Sequence, residues 1–196
     1  SEDGQFGLSL QYTAAALNDT QLGLYYMNYH SRTPLASAEA GTFNPANPVN
    51  NPKYHSSYPE DIQLIGLSFN TRLPWILSGE ISRRLDMPLQ INGGDLIAAA
   101  LVPDPDSPLY DRFNGAAQGE TVEGFDRFDY TQAQLSAMLM FKNALGANKI
   151  ILISELGYGH IWDLDESEGA IKYGRAAVYK DDKDDGYATS DSAGYR

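Results

Sequence analysis

The densest run of carboxylates in the chain is Asp181-Asp182-Lys183-Asp184-Asp185-Gly186. A calcium loop of the helix–loop–helix type needs oxygen ligands at alternate positions before its glycine and a bidentate Glu six residues after it. Here Lys183 occupies one ligand position, and Ser192 stands where the Glu belongs. The run reads as a solvated acidic loop. The three histidines, His30, His55 and His160, include no pair at the i, i+4 spacing of a helical metal site. They read as rim or surface residues. No Gly-x-Ser-x-Gly elbow and no glycine-rich phosphate loop before a helix is present. With no cysteine, thiolate metal sites and disulfides are ruled out. The residue inventory predicts no catalytic set, no metal and no cofactor.

Four charges remain that local pattern makes informative: Arg72, Glu80, Arg84 and Glu155. Each falls on the polar side of an alternating apolar/polar stretch. A charge on such a strand is tolerable where it faces water or an opposite charge. Glu80 with Arg84 and Arg72 offers cross-strand pairing that would fix register or narrow a pore. The plainer reading is four solvated residues on a water-filled wall. Arg83 has the opposite parity, which calls for a rim position, a snorkelling side chain or a bulge.

The elements that must carry these residues are strands. Phe6, Leu8, Leu10 and Tyr12 alternate with Gly7, Ser9 and Gln11. Further strands are expected over Thr20–His30, Asp61–Leu73, Trp75–Leu85, Tyr130–Ala144 and Lys149–Trp162, and a last one after Gly186 makes about seven. Gly94–Val102 has the pattern of a short helix. The linkers alternate short and long, the long ones being 31–60, 86–129 and 163–186, with a strand extension expected around Ile171–Tyr179. In an antiparallel meander all the long linkers then lie at one end. That asymmetry, with strands longer than the soluble mean of about five to six residues, is the pattern of a transmembrane β-barrel. The expectation is one all-β unit over residues 1–196, an antiparallel up-and-down meander forming part of such a barrel.

Charge and aromatics agree with this layout. The formal net charge is −12, from 26 acidic and 14 basic residues. Such an excess of negative charge argues against nucleic acid as a partner. Loops 86–129 and 163–187 hold nine and eight of the acids against six bases. Acidic outer loops of this kind suit divalent ions that bridge lipopolysaccharide phosphates, and they would repel anionic solutes. Trp75 sits beside a short turn, while Tyr25, Tyr26, Tyr29, Tyr158 and Trp162 sit near long-loop ends, as interfacial belt residues would. The longest apolar run, Leu96 to Val102, is far below the roughly 20 residues of a membrane helix.

Several segments also carry a family resemblance. Tyr58-Pro59-Glu60-Asp61-Ile62, Gly66-Leu67-Ser68-Phe69-Asn70-Thr71, Gly79-Glu80-Ile81-Ser82, Met87-Pro88-Leu89-Gln90-Ile91-Asn92, Glu155-Leu156-Gly157-Tyr158 with His160, and Thr189-Ser190-Asp191-Ser192 before Gly194-Tyr195-Arg196 occur in order. Together they resemble the proteobacterial family catalogued as domain of unknown function 1302. The resemblance implies a bacterial outer-membrane β-barrel longer than this chain, of which 1–196 would be an internal fragment. It implies transport of hydrophobic or lipid-like small molecules alongside an efflux-type exporter, with outer-membrane lipid and lipopolysaccharide as surroundings. No catalytic residue comes with it. The competing reading is a soluble extracellular β-sandwich that binds ligands or surfaces, with the same alternating rows buried as its core.

Overall fold

The structure, a computed structural model, describes residues 3–167 and 169–174. Its strands in chain order are β1 (Phe6–Ala14), β2 (Thr20–Tyr29), β3 (Leu35–Glu39), β4 (Lys53–Ser57), β5 (Ile62–Arg72), β6 (Ile76–Gln90), β7 (Thr121–Val122), β8 (Phe125–Ala144) and β9 (Ala147–Ile161). Two helices, α1 (Gly93–Leu101) and α2 (Tyr110–Phe113), lie between β6 and β7. The fold is all-β, and the described residues form two compact units.

The first unit comprises the described residues up to His30, Asp61–Met87 and Asp129–Trp162. Its basis is a six-stranded sheet in the order β1-β2-β5-β6-β8-β9, an up-and-down meander that does not close on itself, as a segment of a barrel would be. Short turns join β1 to β2, β5 to β6 and β8 to β9. At the first, Asn18 and Asp19 take φ of 55° and 53°. At the last, Leu145 and Gly146 take φ of 48° and 80°. Two successive positive-φ residues match the right-handed twist of the flanking strands. The long connections leave from the opposite strand ends.

Two strands outrun their expected limits. β6 continues through Asp86, whose φ of 56° lets the chain bulge and resume pairing, and reaches Gln90. β8 starts at Phe125 and runs 20 residues. The helix expected over Gly94–Val102 is α1, shifted by one residue. Of the expected strand extension, Tyr173 makes a single bridge to Ile91. The strand after Gly186, the Asp181–Gly186 run and residues 175–179 lie outside the described residues.

The second unit comprises Ser31–Glu60, Pro88–Phe128 and the described residues from Asp163 onward. Segments expected to be open loop are folded here. Leu35–Glu39 pairs with Lys53–Ser57 on one side and with Thr121–Val122 on the other, giving a three-stranded sheet β4-β3-β7. The Asn residues of this stretch, with Pro45, Pro48 and Pro52, fall in the excursion between β3 and β4, while Pro34 and Pro59 flank the pair, so none stands in a strand. Asn92 caps α1, its side chain accepting from the amides of Gly94 at 2.9 Å and Asp95 at 3.3 Å. Ala38, Ile91, Leu96 and Leu109 are at most 1% exposed, so this unit has an ordinary apolar core. The six-stranded sheet has almost none: in β1 only Ala14 is buried.

Candidate functional site

Register divides the six-stranded sheet into two chemically different faces. Directly opposed residues of antiparallel strands share a face. The row Leu10↔Leu24↔Leu67↔Ile81 crosses four strands, and these side chains are 65%, 46%, 55% and 48% exposed. On the same face Leu135 opposes Leu156 and Leu139 opposes Leu152. Apolar side chains thus cover one face from edge to edge, with no protein packed on them among the described residues.

The opposite face is polar. Gln11↔Gly23↔Ser68↔Glu80 forms one of its rows, and Gln134↔Gly157 and Ser136↔Glu155 continue it on β8 and β9. A concave cavity of about 620 Å³ lies over this face, lined by Gln11, Gln21, Asn70, Ser78, Glu80 and Gln134 among others. The Tyr25 hydroxyl reaches Ser68 Oγ at 3.3 Å across it.

All four charges singled out in the sequence map to this polar face. Glu80 lies opposite Ser68, Arg84 opposite Leu64 and Arg72 opposite Ile76. The proposed Glu80–Arg84–Arg72 pairing does not form among the described residues. Arg84 instead stacks over the Tyr130 ring, 5.6 Å from its centroid. Tyr130 in turn packs where Gly159 has no side chain; a Cβ there would come within 2.6 Å of the tyrosine hydroxyl. Glu155 accepts a hydrogen bond from the Gln134 amide.

The aromatics divide between the faces. Tyr26 opposes Leu8 on the apolar face, its ring 5.7 Å from that of Phe6. Tyr158 opposes Ala133 on that face and stacks on His160, which meets Trp162 edge-on at 4.8 Å. Trp75 stands in the tight turn between β5 and β6, 41% exposed. Tyr25 and Tyr29 have the other parity and sit on the polar face, so they leave the row of Tyr26. Adjacent tyrosines in a strand necessarily point opposite ways.

Arg83, whose parity was anomalous, lies on the apolar face at its long-loop end. It bonds Asp129 at 2.7 Å and covers Trp162 at 5.3 Å. Trp162 Nε1 donates to Thr131 Oγ1 at 2.9 Å. Local pattern does not reveal this Arg–Asp–Trp–His group, because its members are 31 residues or more apart except for His160 and Trp162. Arg83's parity was the only hint.

The family resemblance is upheld: the model of the family described as Protein of unknown function (DUF1302) matches residues 1–196. The chain belongs to this family. No curated protein and no solved structure matched it.

In this DUF1302 chain the second unit holds its own polar lock. Arg112 donates to both carboxylate oxygens of Asp126, at 2.8 and 2.6 Å, and the Tyr173 hydroxyl donates to Asp126 Oδ2 at 2.7 Å. Burial, reinforced by the Asp126 carboxylate, pushes the Tyr173 phenol well above the usual tyrosine range. Ser167 holds the exposed Asp165 carboxyl below its ordinary value. Among the described residues no group of three His, Cys, Asp or Glu is placed to hold a metal ion.

Proposed function

We propose that this chain is a wall segment of a bacterial outer-membrane β-barrel that lets hydrophobic or lipid-like small molecules cross passively. The observation that carries the reading is the exposed apolar row Leu10, Leu24, Leu67 and Ile81 on one face of a sheet whose other face is polar. In a soluble sandwich such a row is core and is buried. Rows exposed by about half are what lipid contact requires. In this reading the polar face, with its cavity, becomes the lumen wall. The Tyr158, His160, Trp162 and Arg83 group becomes the interfacial belt, with Arg83 neutralised by Asp129 at the membrane rim.

The long linkers would control access, and an efflux-type exporter would supply the cargo, as the family resemblance implies. The proposed mechanism needs no covalent step.

The test is the membrane behaviour of the full-length protein that contains this chain. Outer-membrane fractionation and a gel band that shifts on boiling are expected. A protein that is soluble without detergent, with an unshifted band, would sink the barrel and favour the ligand-binding sandwich.

A further inference from the structure

The polar face is not polar throughout. Along β8 and β9 its successive cross-strand pairs are Gln134↔Gly157, Ser136↔Glu155, Met138↔Ile153, Met140↔Ile151 and Lys142↔Lys149. Two apolar pairs therefore interrupt a polar wall just before the short turn. Ile153 is 67% exposed, while Ile151 and Met140 are 48% and 45% exposed. Ile76, on the neighbouring strand β6, shares this face through its pairing with Arg72. At the same level the other face carries Leu139↔Leu152 and Phe141↔Ile150. This end of the hairpin is thus apolar on both faces. One apolar face answers to lipid; the second has no such partner, and an exposed apolar strip in a wetted wall marks a contact site.

The charges that bracket the strip say what would occupy it. Lys142 and Lys149 stand directly opposite one another, both exposed. Like charges in that position repel, and among the described residues neither is in an ion pair. An anion held between them would remove the repulsion. At the other end of the strip stands the Glu155 carboxylate, which would repel the same anion. The apolar stretch from the lysine pair to Met138 covers four residues, roughly 13 Å at the rise of a strand.

We infer that this strip binds an amphiphile with one anionic head and an unbranched apolar body. The head sits on Lys142 and Lys149 at the short-turn end. The body lies along Met140, Ile151, Met138 and Ile153. Glu155 forbids the reversed orientation. The inference rests on the barrel reading above, which makes this face a lumen wall, and it narrows the cargo from hydrophobic molecules in general to anionic single-chain amphiphiles.

The experiment uses the full-length protein in neutral-headgroup detergent and the fluorescent anion 11-(dansylamino)undecanoate as probe. Laurate is expected to displace the probe, and dodecylammonium to displace it at least tenfold less effectively. The K142Q/K149Q double variant, altered only at exposed positions, is expected to weaken probe binding by roughly tenfold or more, the scale of a lost charge-assisted contact. Equal displacement by the two competitors would overturn the inference without needing any variant. Unchanged affinity in the double variant would overturn it too. If either result came from a protein that still shows its heat-shifted band, the barrel would stand and only the amphiphile site would fall. A soluble, unshifted protein would remove both.

Discussion

Asp126 is the residue on which the second unit's polar lock turns. It accepts from Arg112 and from Tyr173, and the Arg112 and Asp126 side chains are 28% and 29% exposed. Asp126→Ala leaves a half-buried guanidinium and a buried phenol without their acceptor, a loss of about 2 kcal/mol. Faster protease cleavage within 88–128 checks it, and an unchanged cleavage rate would refute it. The same site sets an alkaline limit. Tyr173 is raised in the folded state, so the stability it lends is complete below the ordinary tyrosine value of about 10 and is lost as pH rises beyond it toward the folded value. Cleavage within the same segment should therefore accelerate above about pH 10. Tyr173→Phe should flatten that part of the profile.

At the scale of the element, the β8–β9 turn and the parity of β5 make separate predictions. Leu145 adopts a φ of 48° and is 97% exposed. A left-handed conformation costs a branched residue about 1–2 kcal/mol, and asparagine tolerates it better. Leu145→Asn should raise the denaturant midpoint by about 1 kcal/mol worth of stability. A lowered midpoint would mean that Leu145 makes a contact outside the turn. In β5, Leu67 and Ser68 are neighbours in the chain but lie on opposite faces. In the proposed barrel Leu67→Lys would place a charge against lipid and should cost about 2–4 kcal/mol near the bilayer midplane. Ser68→Lys points into the wetted cavity and should cost little. Assembly into lipid vesicles, followed by the heat-shifted band, reads both; equal losses would contradict the assignment of faces.

For the whole molecule the proposed pore is electrically asymmetric. Loops 86–129 and 163–187 carry 17 of the 26 acids, while the exposed lysine pair lies at the short-turn end of β8 and β9. Small hydrophilic cations should cross reconstituted protein faster than anions of equal size, with the preference fading as salt screens the loop field. Reversal potentials in a salt gradient measure this, and anion selectivity would overturn the role given to the loops. An anionic amphiphile meets the favourable sign at the lysine pair, so its uptake is expected from the turn side.

The sequence by itself determined the strand pattern, the short and long linkers, the family and the polar-face positions of Arg72, Glu80, Arg84 and Glu155. All of these follow from a period of two and from turn chemistry, which are local. It did not determine how the long linkers fold. Pairing of Leu35–Glu39 with Thr121–Val122 joins segments some 80 residues apart, and no local pattern encodes such a contact. It also could not decide that Arg84 faces Tyr130 rather than Glu80, or that Arg83 joins Asp129 and Trp162. Those depend on which strands become neighbours and in what register. The apolar strip is legible in the sequence only in part: a period of two over Tyr130–Ala144 puts Met138 and Met140 on the side of Gln134 and Ser136, but Ile151 and Ile153 become their partners only through the register of β9. Cross-strand register is a tertiary property, because a shift of one residue exchanges the two faces.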